Sequence, residues 1–275
     1  MTAFIPHPRW IVPDWPASAK VRALITTRAG GVSTGRFDDG QGGGGLNVGL
    51  QSGDAIESVQ ANRALLRAQL PAEPRWLRQT HGASVVDISN LGDVSDIAMA
   101  AGVAEVGEPP QADAAITLRH GRVCVVSIAD CLPVFFADRQ GRAVGVAHAG
   151  WRGLAAGILQ NTAAAMRGGL GDAGATLLAY LGPAIGPSAF EVGPDVLAAM
   201  RKRLPQADAA FRPIERQPGK YLCDLFALAR QALAQVAVTD VYGDGDCTYS
   251  DPARFYSYRR DRITGRHAAL IWLDR

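Results

Sequence analysis

The chain has 275 residues, 48% apolar and 20% charged, long enough to bury a sizeable core and ordinary in composition for a globular protein. A formal net charge of +2, with basic residues only in short runs such as Arg201-Lys202-Arg203 and Arg259-Arg260, argues against a dedicated nucleic-acid surface. No stretch is long and apolar enough for a bilayer, the irregular N-terminal segment (residues 1–20) does not read as a signal peptide, and the four cysteines show no paired spacing. A cytoplasmic protein with free thiols and no membrane partner is therefore expected.

Residues 21–27 form a β-rich run ending in Thr27-Arg28-Ala29-Gly30-Gly31. A glycine-rich loop follows and reads as a flexible loop with Asn47 at its anchored end; without a GKS/T or a GxGxxG opening a helix, it makes a poor phosphate cradle. Asp54-Ala55-Ile56-Glu57 has capping-box spacing, and helical periodicity continues to Leu70, where prolines stop it. Residues 75–79 and 84–88 read as strand pieces around Thr80-His81-Gly82, and residues 90–111 as a loop. Residues 112–118 open a central block, which turns at His120-Gly121. After it come a helix ending near Gly168, a strand over 176–181, and amphipathic helices over 194–204 and 224–236. Strands over 238–242, 254–258 and 267–273 close the chain. The alternation, with hairpin-like pairs, predicts an α/β (α+β mixed) fold with a mixed sheet, in a single domain over residues 1–275.

The chemistry concentrates in residues 123–166. One apolar run ends in Asp130-Cys131; a second ends in His148, followed by Gly150-Trp151-Arg152-Gly153. Polar groups at strand ends, with glycine just after, are how α/β folds present chemistry at a sheet edge. Cys131, His148 and His81 are expected to converge there. A His-Cys-His set suits catalytic zinc, which leaves a fourth position open, and Asp130 is placed to act behind the ligands or as a proton carrier. The alternative is a small buried cysteine and a satisfied sheet-end histidine.

The segments TRAGGVS, LNVGLQSGD, LRQTHGASVV, ADAAIT, IADCLPVFFAD, VGVAHAGWRGL, YLGPAIGPSAFEVG and SYRRDRITGRHAALIWL together resemble the YfiH-type family. Its members carry the labels laccase-domain protein, polyphenol oxidase, peptidoglycan-editing factor and purine nucleoside phosphorylase. The resemblance implies a four-layer α/β/β/α fold and a zinc site at His81, Cys131 and His148. It also implies phosphorolysis of adenosine, inosine, guanosine and methylthioadenosine, with adenosine deaminase activity beside it. The Gly42 to Gly45 run departs from the family pattern as an insertion. His7, His120 and His267 are read as structural.

For a phosphorylase, Arg28 and Arg152 are the candidates for the anion, and Asn47, Gln79 and Tyr258 for base or ribose. Deamination would use Asp130 to protonate the leaving ammonia. A metal-free Cys–His hydrolase acting on peptidoglycan precursors would take Cys131 as nucleophile and His148 or His81 as base. A copper-dependent polyphenol oxidase of the multicopper kind needs on the order of ten histidines, and the chain has five. A single His₂Cys copper site has no obvious axial ligand among Met99, Met166 and Met200. A non-enzymatic partner protein is the fourth class. The sequence assigns no oligomeric state.

Overall fold

A computed structural model describes residues 6–91, 108–243 and 245–274. Strands β1 (Val21–Ile25), β5 (Val123–Ile128) and β13 (His267–Leu273) form an antiparallel sheet in the order β1-β13-β5. A six-stranded mixed sheet joins β3 (Val85–Asp87), β4 (Ala114–Thr117), β6 (Leu132–Asp138), β7 (Val144–Ala149), β8 (Leu177–Leu181) and β12 (Asp240–Tyr242), in the order β12-β8-β6-β7-β4-β3. A small sheet of β9 (Glu191–Val192), β10 (Phe211–Pro213) and β11 (Tyr221–Cys223) lies apart from both, and β2 (Ala29–Ser33) leads into the glycine-rich loop.

The side-chain alternation of these strands builds the layers. Ala269, Ile271 and Leu273 of β13 pack with Val126 and Ile128 against Phe135, Val144 and Val146, which closes the gap between the two large sheets. The opposite face of β13, Ala268, Leu270 and Trp272, packs with Leu24, Val125 and Trp10 against Leu66 of helix α1 (Ile56–Arg67). On the far side, Val134, Phe136, Ala147 and Leu177 meet the helices α2 (Trp151–Ala156), α3 (Ile158–Leu170), α4 (Pro194–Arg201) and α5 (Leu225–Ala234). The result is the four-layer α/β/β/α arrangement. Sheets covered on both faces explain why the central strands read as continuous apolar runs.

Several local expectations are corrected. The helix after His148 is two helices, broken at Gly157, whose φ of 91° ends α2. A Cβ there would lie 1.5 Å from Arg203 Nη2, which instead donates to the Ala156 carbonyl. The capping box at 54–57 does not form: Ala55 stands at the N-cap, while Asp54 Oδ2 accepts from Ser33 and Asn47. Residues 254–258 are not a strand but a turn leading into the short helix α6 (Tyr258–Asp261), where Ser257 Oγ accepts from Arg260 N. The Tyr256 N–H is taken by His267 Nε2 rather than by a neighbouring strand. Of the loop over 90–111, residues 92–107, Met99 included, lie outside the described residues.

Candidate metal centre

The chain leaves the three-stranded sheet at Ile128 and enters the six-stranded one at Leu132. Cys131 is the last residue of that crossing. The strand that shares a sheet with His148 is thus β6, which follows the cysteine, and not the apolar run that precedes it. Antiparallel pairing of Leu132 with Ala149 and Pro133 with His148 brings the start of β6 and the end of β7 to one edge. On the other flank of β7, Ala114 pairs with Ala147, which sets Asp113 beside His148.

Asp113 then brings in His81. Its carboxylate accepts from the backbone N–H groups of Thr80 (3.1 Å), His81 (2.9 Å) and Gly82 (2.7 Å) and from the Thr80 hydroxyl. Consecutive N–H groups turned onto one anion form a nest, and His81 takes a left-handed φ of 59° within it. The other partner of Asp113 is His148 Nδ1 at 2.9 Å. Burial alone would raise the Asp113 pKa; the hydrogen bonds from His148, Gly82 and Thr80 reverse this and hold it well below the usual carboxylate range.

The ligand-type atoms of His81, Cys131 and His148 all lie within 4.8 Å of one another. His148 is buried, Cys131 half-buried and His81 exposed, so the cluster opens at one side. With Nδ1 of His148 on Asp113, Nε2 faces the cluster. A carboxylate behind a metal-binding imidazole fixes tautomer and ring orientation. Burial opposes ionisation of both Cys131 and His148. Even so, the imidazoles lower the thiol's pKa, while the thiol and Asp113 raise that of His148. A soft thiolate, two imidazoles and an open side fit zinc.

Glycine lets this cluster close. A Cβ on Gly150 would sit 2.8 Å from Cys131 Sγ and 3.5 Å from the His81 ring, and one on Gly153 would sit 3.0 Å from the Gly82 carbonyl. α2 starts at Trp151, its Gly150 N-cap offering no side-chain bond.

The other candidate residues have these placements. Asp130, at φ 87°, accepts from Thr248 (2.6 Å), Ser257 (3.0 Å) and Arg259 N (2.6 Å), so its carboxylate braces the closing loop against the crossing. Arg28 donates to the Asp38 carbonyl and carboxylate and to the Pro252 carbonyl. Asn47 is fully buried; its amide donates to Ser52 and Asp54 and its oxygen accepts from Gly49 N and Arg266 N. Gln79 pairs with both backbone groups of Ser127 on the free edge of β5. Arg152 lies exposed over the Trp151 ring, and Tyr258 is 51% exposed beside Arg262. Asp113 was not among the sequence candidates; the signal for it was a lone acid inside the apolar stretch Ala112 to Thr117.

The profile of the family described as "Multi-copper polyphenol oxidoreductase laccase" matches residues 22–274. A protein of Pseudomonas aeruginosa named purine nucleoside phosphorylase is 45% identical over 96% of this chain and 98% of its own length. The chain belongs to the YfiH-type, laccase-domain family. Another member, purine nucleoside phosphorylase YfiH of Escherichia coli, is 43% identical, again over 96% of this chain and 98% of its own. Among solved structures, the Neisseria meningitidis protein NMB0706 superposes with a TM-score of 0.82 at 45% identity, covering 97% of this chain and all of that one. YlmD from Geobacillus stearothermophilus gives 0.79 at 32% identity, over 94% of this chain and 93% of its own.

Proposed function

We propose that the chain is a zinc-dependent purine nucleoside phosphorylase acting on adenosine, inosine, guanosine and methylthioadenosine, with adenosine deaminase as a second activity. The observation that carries the reading is the open His81-Cys131-His148 cluster, in a family whose named relatives are purine nucleoside phosphorylases. In phosphorolysis a phosphate oxygen bonds to C1′ of the ribose. The C1′–N9 bond breaks, and its electron pair leaves with the purine, which takes up a proton. Bound zinc would supply a Lewis acid with an open position at neutral pH. The protein's part is to hold geometry: Asp113 fixes the His148 tautomer and folds the His81 turn, and Asp130 locks the crossing that ends in Cys131. The soft thiol and two imidazoles with an open side support zinc as the metal in this reading.

The test is to incubate pure protein with adenosine, with and without phosphate, and to identify products alongside metal content by atomic emission. Adenine with ribose 1-phosphate marks phosphorolysis; inosine marks deamination. In Cys131→Ser, His81→Ala and His148→Ala, zinc and both activities should fall together. Full zinc in Cys131→Ser, or no phosphate-dependent product from the wild type, would sink the reading.

One observation favours a second reading. The sequence of contacts Cys131, His148, Asp113 is also that of a nucleophile, base and orienting acid. A metal-free Cys–His hydrolase of peptidoglycan precursors would use it. Rapid alkylation of Cys131 that added zinc does not block, with an acyl group trapped on the thiol, would decide for that reading.

A further inference from the structure

Phosphorolysis needs a cation that reads inorganic phosphate, and the arginines offer a choice. Arg28 already has the Asp38 carboxylate at 3.1 Å and two carbonyls, so that each of its three guanidinium nitrogens holds a partner. Arg259 donates to the Glu191 carbonyl and lies over Phe190. Arg152 is an exposed side chain stacked on its own neighbour.

Arg266 differs from all of them. In the antiparallel pairing of β13 with β5, His267 stands opposite Ile128. One step further along, Arg266 falls opposite Ala129, at the end of the sheet from which the chain crosses to Asp130 and Cys131. Its backbone therefore sits beside the crossing that leads to Cys131. Its position is held firmly: the Arg266 N–H donates to Asn47 Oδ1 at 2.8 Å, and its Cγ lies 2.6 Å from where a Cβ on Gly49 would stand. Nη1 donates to the Thr264 and Gly265 carbonyls. Nε and Nη2 make no hydrogen bond among the described residues, and no carboxylate of those residues forms an ion pair with the guanidinium. Burial works against its charge, and the groups that oppose this effect are Cys131, Asp130 and Tyr258. Asp130 is already held by three donors, from Thr248, Ser257 and Arg259. A half-buried cation without a counter-ion among the described residues is a feature that an incoming anion relieves.

We propose that Arg266 is the phosphate-reading residue of this site, with its Nε and Nη2 edge presented as a planar fork to inorganic phosphate beside the His81-Cys131-His148 cluster. The proposal rests on the phosphorylase reading for its substrate, but the anion site itself does not. The fork holds two phosphate oxygens and leaves a third for C1′. Asn47 becomes a positioning residue, acting through the Arg266 backbone, and Gly49 the residue whose missing side chain admits the arginine stem.

The experiment titrates inorganic phosphate calorimetrically into zinc-loaded wild type, Arg266→Gln and Arg266→Lys without nucleoside. Zinc per chain and far-ultraviolet circular dichroism are measured on the same samples, and the KM for phosphate in inosine phosphorolysis in parallel. Arg266→Gln should keep zinc and fold and bind phosphate on the order of 10- to 100-fold more weakly, the loss expected for a charge-assisted hydrogen-bond pair. Arg266→Lys, a single point charge, should fall between. Phosphate affinity in Arg266→Gln within twofold of wild type would overturn the proposal, as would a wild type that binds no phosphate. If Arg266→Gln does not fold, Arg266→Lys decides: several-fold weaker binding supports the fork and unchanged binding defeats it. A wild type that binds phosphate through Arg266 yet forms no ribose 1-phosphate from any purine nucleoside retires the phosphorylase reading and keeps the anion site.

Discussion

Asp113 holds more of the cluster together than any of its three members does. It is fully buried, and its carboxylate serves the Thr80-His81-Gly82 turn on one side and His148 Nδ1 on the other. Asp113→Asn keeps the volume but puts an amide where a charged acceptor stood. Zinc affinity should fall by about 10- to 100-fold, read by competition with a chromophoric chelator, while Asp113→Glu, which keeps the charge, should lose less. Equal zinc affinity in wild type and Asp113→Asn would show that the tautomer of His148 needs no carboxylate. The three clustered residues, His81, Cys131 and His148, were legible in the sequence because each is a ligand-type residue at the end of an apolar run or beside a glycine. Asp113 was not, since a single acid ahead of a strand reads as a strand boundary. Nor could the sequence show how Arg28 and Asn47 are occupied, because a polar residue in a loop looks the same whether it waits for a ligand or ties the loop down.

At the level of elements, the glycine-rich loop is exposed over residues 40–43 but tied down at Asp39, Gly44 and Gly45. Asp39 Oδ1 accepts from Gln41 N and Gly43 N, and Asp39 Oδ2 from Arg9 at 2.6 Å. A Cβ on Gly44 would meet the Gly31 carbonyl at 2.1 Å and one on Gly45 the Phe37 carbonyl at 1.7 Å, so this stretch threads where only bare backbone fits. The hydrogen bond from Arg9, with those from Gln41 and Gly43, lowers the Asp39 pKa to about 2. The depressed folded-state value means that Asp39 contributes stability above the ordinary carboxylate pKa of about 3.9 and loses it as the pH falls toward 2. Denaturant midpoints measured between pH 5 and 2 should therefore drop less steeply in Asp39→Asn than in wild type; parallel curves would refute the assignment. Strands and amphipathic helices were readable from periodicity, whereas the break at Gly157 was not. There the pattern continues across the glycine, and only the tertiary contact with Arg203 shows why the backbone turns.

On the scale of the whole molecule, the two large sheets and their helix layers follow from strands that are apolar on both faces, but the partition of strands between sheets does not. β5 and β6 are separated by three residues and belong to different sheets, a fact set by pairing and invisible to composition. The three residues of the candidate metal cluster consequently come from the turn before β3, from the crossing between sheets, and from β7. A ligand-bound ion stabilises whatever state assembles its site. Removing zinc with a chelator should lower the midpoint of thermal unfolding by several degrees, with recovery on adding zinc back, by scanning calorimetry. No shift would mean that the cluster stands unaided. Any sliding of one sheet over the other has to pull on Ala129, Asp130 and Cys131, because only these three residues lie between Ile128 and Leu132. The crossing is thus a short tether under a clasp, and the centre would register shear between the layers long before either sheet lost its own pairing.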